Sequence, residues 1–326
     1  MLNARDNAIQ TIRFGKPEYV ASGLSVHQLC YHGCNHEGYD GGGHECAIGS
    51  QWVDIWGTRW HKEHAGVMGF PRGNPLADVS ALASYRWPNP DDQRICESIY
   101  RGRKDFQGGD QFLGGSHRDT LWEKAYMLVG MENMMVYLHE EPGFAREVLG
   151  RIMDFQLGIA RHYLSVGIEV AGLGDDLGTQ LGPLLSPDLV REFFVPQYRR
   201  LFDLYKSQGV IIGFHSCGCI GAFLDMWMEL GVDVLNPIQV TANDLGALRE
   251  KTAGRMSLQG GISTVTMVNG PVEAIEGEVR ERLWQLGRNG GYFCAPDQGM
   301  PWPAAHWDAY RRTLDKHGRY PLRPEG

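Results

Sequence analysis

His215 and Cys217 stand two residues apart, where the β-branched run Val210–Phe214 ends. Side chains alternate along a strand, so residues i and i+2 point the same way. An imidazole and a thiolate on one face can share a metal. Zinc accepts N and S donors, and a catalytic zinc keeps one position open. A third donor has to come from another strand. Cys294, Asp297 and Gln298 all lie near the end of the last apolar run, Tyr292–Ala295. Cys219 falls beyond Gly218, past the strand end, and is expected to be a spectator. A buried but unliganded His and Cys is the alternative for an isolated H-x-C.

Asp175 and Asp176 close another run, Ile168–Gly174. Adjacent side chains point to opposite sides, so at most one of the two faces a cavity. There it could orient a group, relay a proton or offer oxygen to the metal. Anchoring the next loop or helix is the equally good alternative. Asn236, Gln239, Gln259 and Ser263 follow other apolar runs and are placed to hydrogen-bond a substrate. Gly260 and Gly261 read as a close backbone approach or a simple turn. No G-x-G-x-x-G opens a helix here, which argues against dinucleotide binding. The cluster His27, Cys30, His32, Cys34, His36, His44 and Cys46 fits no zinc-finger spacing and reads as a glycine-rich lid. A second metal site is the alternative. Trp56, Trp60 and His61 would form an aromatic substrate wall, or pack this excursion against the rest.

What must position these groups is a β-α rhythm. An opening helix spans Asn3–Phe14, and Val20–Val26 reads as a first strand. Residues 27–90 are irregular, with Trp52–Trp60 strand-like. Leu121–His139 has helical spacing, and Pro142 starts a helix to Ser165. Ser186 caps a helix that Pro187 begins, Pro196 kinks and Gly209 ends. Ile220–Leu230, a helix capped by Asn243, Pro271–Leu286 and Pro303–Lys316 alternate with short apolar runs. Short continuous apolar strands between longer helices imply a parallel sheet covered on both faces. Asp175, His215, Asn236, Gln259 and Asp297 fall at successive strand ends, where barrels gather their chemistry. The expected fold is α/β, a (β/α)8 TIM-type barrel with a long N-terminal loop, residues 1–326 forming one domain. Residues 27–90 would lie over the barrel mouth.

Several segments, in this order and spacing, resemble uroporphyrinogen-decarboxylase-like proteins. They are Gly174-Asp175-Asp176-Leu177-Gly178-Thr179-Gln180, His215-Ser216-Cys217-Gly218, Asn236-Pro237-Ile238-Gln239 and Gly260-Gly261-Ile262-Ser263-Thr264. Trp52–Trp60 and Leu121–Tyr126 look similar too. The resemblance implies a barrel with extra N-terminal helices. True decarboxylases of this kind carry an arginine-rich N-terminal signature, and Val20–His27 contains no arginine. The other branch comprises methyltransferases that work with corrinoid proteins. In several of them a His-x-Cys matching His215 and Cys217 forms half of a zinc site, and the third ligand is often a cysteine near the last strand. Cys294 lies in that region, a few residues early, and Asp297 or Gln298 could occupy the position instead. The implied function is zinc-dependent methyl transfer. The methyl would pass between a small methylated substrate, such as a methoxylated aromatic, or a thiol or folate acceptor, and a corrinoid protein. That partner would carry the cobalamin, because no D-x-H-x-x-G motif occurs here. A decarboxylase and a non-catalytic corrinoid- or metal-binding protein are the rivals.

The composition agrees. The net charge of −8 attracts neither nucleic acid nor anionic lipid. No run approaches the length of a membrane span, and the first residues lack a signal peptide's apolar middle. Seven cysteines, an odd count, argue against a disulfide framework and for a cytoplasmic location.

Overall fold

The computed structural model describes residues 2–324. Helix α1 (Ala4–Ile12) starts where the Asn3 side chain accepts from the Asp6 N–H. Strand β1 (Val26–Leu29) follows. Then comes an antiparallel sheet of β2 (Gln51–Val53), β3 (Arg59–His61) and β4 (Phe70–Gly73). Helix α2 (Gln93–Asp105), capped by Asp92, leads to β5 (Phe112–His117). Next are α3 (Trp122–Val129), α4 (Met131–Glu140), α5 (Pro142–Ser165) and β6 (Val170–Gly174). A helical segment, α6 (Pro187–Leu189), passes through a π-turn at Val190–Phe194 into α7 (Val195–Ser207). Strands β7 (Ile211–His215), β8 (Val234–Ile238), β9 (Ser257–Ile262) and β10 (Tyr292–Pro296) alternate with α8 (Leu224–Leu230), α9 (Leu245–Thr252), α10 (Thr264–Asn269) and α11 (Val272–Arg282). Helix α12 (Ala304–His317) comes last.

The parallel strands pair in the order β1-β5-β6-β7-β8-β9-β10 and curl into a TIM-type barrel. The ladder contains seven strands among the described residues, where eight were expected. Residues 20–25 stay outside it, so the first strand begins at Val26 and not at Val20. They bridge the seam instead: Cys294 N–H donates to Ala21 O, and Phe112 N–H donates to Ser25 O.

Local chemistry explains most boundaries. Ser186 accepts from Leu189 N–H as expected. The π-turn precedes Pro196, whose missing N–H and ring disturb the regular ladder. Leu121–His139 is two helices, broken at Gly130 with φ +93. The cap of α9 is Asp244 and not Asn243. Asn243 donates instead to Gly218 O and Gln239 O. Gly260 and Gly261 lie inside β9 rather than in a turn after it. Their φ values of +123 and +87 accompany a register shift between β8 and β9, and a Cβ on Gly260 would lie 2.8 Å from Ile238 N.

Alternation divides each barrel strand. Ile212 and Phe214 on β7 are fully buried against the helices, whereas Ile211, Gly213 and His215 face the lumen and are half-buried. The floor is a small core of Ala8, Phe112, Val170, Val234 and Phe293, so α1 plugs the N-terminal end. Among the described residues no helix is long and apolar enough to cross a membrane.

Candidate metal centre

The C-terminal ends of β6 and β7 bring three donors together. Donor atoms of Asp176, His215 and Cys217 all lie within 4.8 Å of one another. Cys217 Sγ is 3.3 Å from His215 Nε2, and Asp176 Oδ1 is 3.6 Å from the same nitrogen. His215 Nδ1–H donates to Asn236 Oδ1 at 2.9 Å, which turns the Nε2 lone pair toward the other two donors. Cys217 N–H donates to Asp176 Oδ1 at 2.9 Å, and Gln298 Nε2 donates to Cys217 Sγ at 3.1 Å.

Two loops must cross tightly to build this. Gly178 N–H donates to Cys217 O, and Cys219 N–H donates to Thr179 O. Gly218 has φ +84, and a Cβ there would sit 2.4 Å from the Gly178 backbone. The glycines of both motifs are therefore fixed by a backbone-to-backbone crossing that seats Cys217. Gln239 Oε1 accepts from Gly218 N–H at 2.7 Å and braces the same turn.

The electrostatics favour a cation. Burial, reinforced by the Asp176 carboxylate, pushes the Cys217 thiol up to about 12. Such a thiol becomes a thiolate at neutral pH only when a positive charge compensates. Glu123, in the first turn of α3, is raised to about 10 by burial and by Asp119, Asp175 and Asp176. Residue-type reasoning overlooked Glu123, although it lies within the quoted Leu121–Tyr126 segment. One N, one S and one O donor suit zinc with a position left open.

The other expected residues divide. Asp175 is fully buried and points away from the centre, accepting from Leu121 N–H, Glu123 N–H and Tyr198 Oη–H. It anchors the start of α3, and burial raises it to about 7. Cys294 is not brought to the centre. It shares the helix-facing core with Tyr292, while Phe293 between them faces the floor, and burial pushes its thiol up to about 12. Asp297 is spent on Val240 N–H and Thr264 N–H. Gln298 is the residue of the three that reaches the pair.

Asn236 and Gln259 line a cavity of about 280 Å³ with His215, Gln298, Trp302 and Trp307. Ser263 is buried, its N–H on Glu278. Gln239 is likewise buried. Trp56 and Trp60 are each only 1% exposed and so cannot form an open substrate wall. Trp56 packs edge-on to Phe155, and Trp60 stacks on His36 at 4.2 Å and donates to Asp54 at 2.9 Å. His61 lies 3.4 Å from Glu63. Of the His27–Cys46 cluster, His27 belongs to β1, and His36 Nε2 is 2.5 Å from Asp119 Oδ2. Among the described residues, only Asp176, His215 and Cys217 form a group that could hold a metal.

The model of the uroporphyrinogen decarboxylase (URO-D) family matches residues 73–308, which include every donor of the centre. The uroporphyrinogen decarboxylase of Bordetella parapertussis is 25% identical over 222 residues, 66% of this chain and 60% of that protein. That of Methylococcus capsulatus is 27% identical over 165 residues, 50% of this chain and 45% of that one. The chain thus spans less than two thirds of the length of these curated relatives. A solved methyltransferase from Methanosarcina mazei is 17% identical and superposes with a TM-score of 0.72, covering 97% of this chain and 99% of that one. At that identity the likeness is one of fold.

Proposed function

Because the chain belongs to the uroporphyrinogen decarboxylase family, we propose that its barrel hosts zinc-dependent methyl transfer to or from a corrinoid protein, in place of decarboxylation. The observation that carries this reading is the Asp176–His215–Cys217 cluster at the strand ends. These three residues would hold the zinc, with Gln298 beside them. When bound, zinc would keep a thiol acceptor as thiolate or draw charge from an ether oxygen.

The chain's own groups do the rest. Asn236 fixes the His215 ring through Nδ1, so that Nε2 faces inward. Gln298 donates to the Cys217 sulfur and tempers its charge. Glu123 holds a proton at neutral pH beside the carboxylates. Asn236 and Gln259 border the cavity that a small methylated substrate would enter. The partner would be a corrinoid protein carrying cobalamin, with no nucleic acid or membrane involved, in a cytoplasmic setting. Residues 1–326 are taken as one barrel domain.

The test is the spectral change of reduced cobalamin on methylation, with methoxylated aromatics, methylamines and methyl thioethers as donors. A Lewis acid supplies several kcal/mol, and each 1.36 kcal/mol is tenfold in rate. His215→Ala should therefore slow transfer by about a thousandfold while the fold persists. Near-wild-type activity in that variant would exclude zinc as the catalyst. Carbon dioxide from a carboxylated substrate, with no methyl transfer, would favour the decarboxylase, which needs no metal. Metal or corrinoid binding without turnover would favour the accessory-protein reading.

A further inference from the structure

Bulky branched side chains ordinarily fill a barrel of this type in layers. Here the middle layer is open. Gln28 is exposed although it lies within β1, and Gly172, Gly213, Asn236 and Gln259 are half-buried although each is mid-strand. Their helix-facing neighbours Leu173, Ile212, Leu235 and Leu258 are at most 3% exposed. Above the apolar floor, these lumen positions are more open than the helix-facing ones.

Two glycines make the opening. A Cβ at Gly213 would meet only Ala171 O, at 3.8 Å. One at Gly172 would meet only Gly115 O at 3.8 Å and Gln28 Oε1 at 3.9 Å. Neither position is held as glycine by a close neighbour or by left-handed backbone. The side chains absent there leave a slot walled by flat peptide on one side, above the apolar floor and two residues below His215.

The opposite wall is amide. Gln28, Asn236 and Gln259 each present both a hydrogen-bond donor and an acceptor. None of the seven barrel strands contains Lys, Arg, Asp or Glu. Arg118, just past β5, is turned toward Asn35, Met68 and Asp119. Below His215, in the chain freed of metal, an anion would lose its hydration with no cation to replace it, and among the described residues carboxylates stand only at the mouth, at Asp176 and Asp297. A neutral group that both donates and accepts would be satisfied.

We infer that the lumen slot binds a flat, uncharged head group with a donor and an acceptor side by side, such as a carboxamide or lactam on an aromatic ring, between the Gly213 wall and the Gln259 amide, with the Gln28 amide at its edge, in contact range of Gly172. This deepens the methyl-transfer reading, on which it rests only for what the bound molecule then undergoes.

Benzamide and benzoate are suitable probes, sharing size and shape but differing in charge. In ligand-observed NMR titrations of the chelator-treated full chain, benzamide should bind at least about tenfold tighter than benzoate, a difference of about 1.4 kcal/mol. Gly213→Val fills the slot and should weaken benzamide about tenfold or more. Gln259→Leu, which removes the amide, should weaken it by a similar factor. The melting temperature of each variant, measured beside the wild type, shows whether a loss of binding reflects a fold defect. Equal binding of benzoate, no binding of either probe, or unaltered benzamide binding by both Gly213→Val and Gln259→Leu would overturn the inference. Because the readout needs no methyl donor or cobalamin, selective benzamide binding without methyl transfer would sink only the proposed reaction. Methyl transfer that benzamide does not inhibit would sink only the substrate class.

Discussion

Cys217 and Cys294 make a matched pair of thiols, both pushed up to about 12 by burial, yet their surroundings predict opposite behaviour. Cys217 has His215 at 3.3 Å and Asp176 beside it, whereas Cys294 lies in the helix-facing core. Elemental analysis after zinc loading should find about one zinc per wild-type chain, most of it lost in Cys217→Ser and all of it kept in Cys294→Ser. Full retention in the first variant would move the site elsewhere. Glu123 gives a second outcome at this scale. Its carboxyl holds a proton up to about 10 in the folded chain, against an ordinary value of 4.5. Between those two values the folded state binds a proton that the unfolded state has released, so stability falls as pH rises. Chelator-treated protein should therefore melt lower at pH 9 than at pH 6, and Glu123→Gln should flatten that slope. An unchanged slope would mean that Glu123 ionises normally.

At the scale of elements, the centre depends on two loops touching through glycine. Gly218→Ala places a Cβ 2.4 Å from the Gly178 backbone and demands φ +84 of an alanine, a conformation costing about 1–2 kcal/mol. Zinc affinity should fall about tenfold or more, measured by competition with a chromogenic chelator, while the far-UV spectrum stays unchanged. Undiminished affinity would show that the crossing does not seat Cys217. Elements with strong local signals were legible in the sequence. Pro142 starts α5, Ser186 caps α6, and Gly209 follows the end of α7 in left-handed backbone with φ +72. The pairing of His215 with Cys217 is read from strand alternation and the family resemblance, yet β7 ends at His215, and the loop crossing at Gly218 is what seats Cys217. What escaped was set by tertiary contact. Gly260 and Gly261 read as a close backbone approach or a turn; they lie inside β9, where the register shift against β8 leaves no room for a Cβ at Gly260, 2.8 Å from Ile238 N. Asp176 could not be separated from Asp175 by sequence, since alternation says only that they diverge. Cys294 was misplaced because its odd or even position relative to the lumen depends on where β10 begins.

The excursion carrying β2, β3 and β4 is tied to the barrel by buried charge. His36, stacked on Trp60, meets Asp119 just beyond β5. Burial works to raise Asp119, yet the facing His36 ring prevails and brings its carboxyl down to about 2. A carboxylate depressed in this way adds stability above its unfolded value near 4, and that stability is lost as pH falls toward 2. Breaking one partner of a buried pair costs about 3–5 kcal/mol. Asp119→Ala should lower the urea midpoint accordingly and expose residues 30–75 to proteolysis before the barrel. Simultaneous cleavage of both regions would show that the excursion has no separate attachment.

The alternation along β7 has a consequence for how such a chain can change over time. Residues that hold the fold and residues that meet the ligand occupy opposite faces of the same strand, interleaved one by one. Saturation mutagenesis through residues 211–215 should give a tolerance profile with a period of two. Ile212 and Phe214 should accept little, while Gly213 should accept small residues at small cost to the melting temperature. A scaffold with that profile can acquire a new ligand preference by single substitutions, without first accumulating compensating changes in its core.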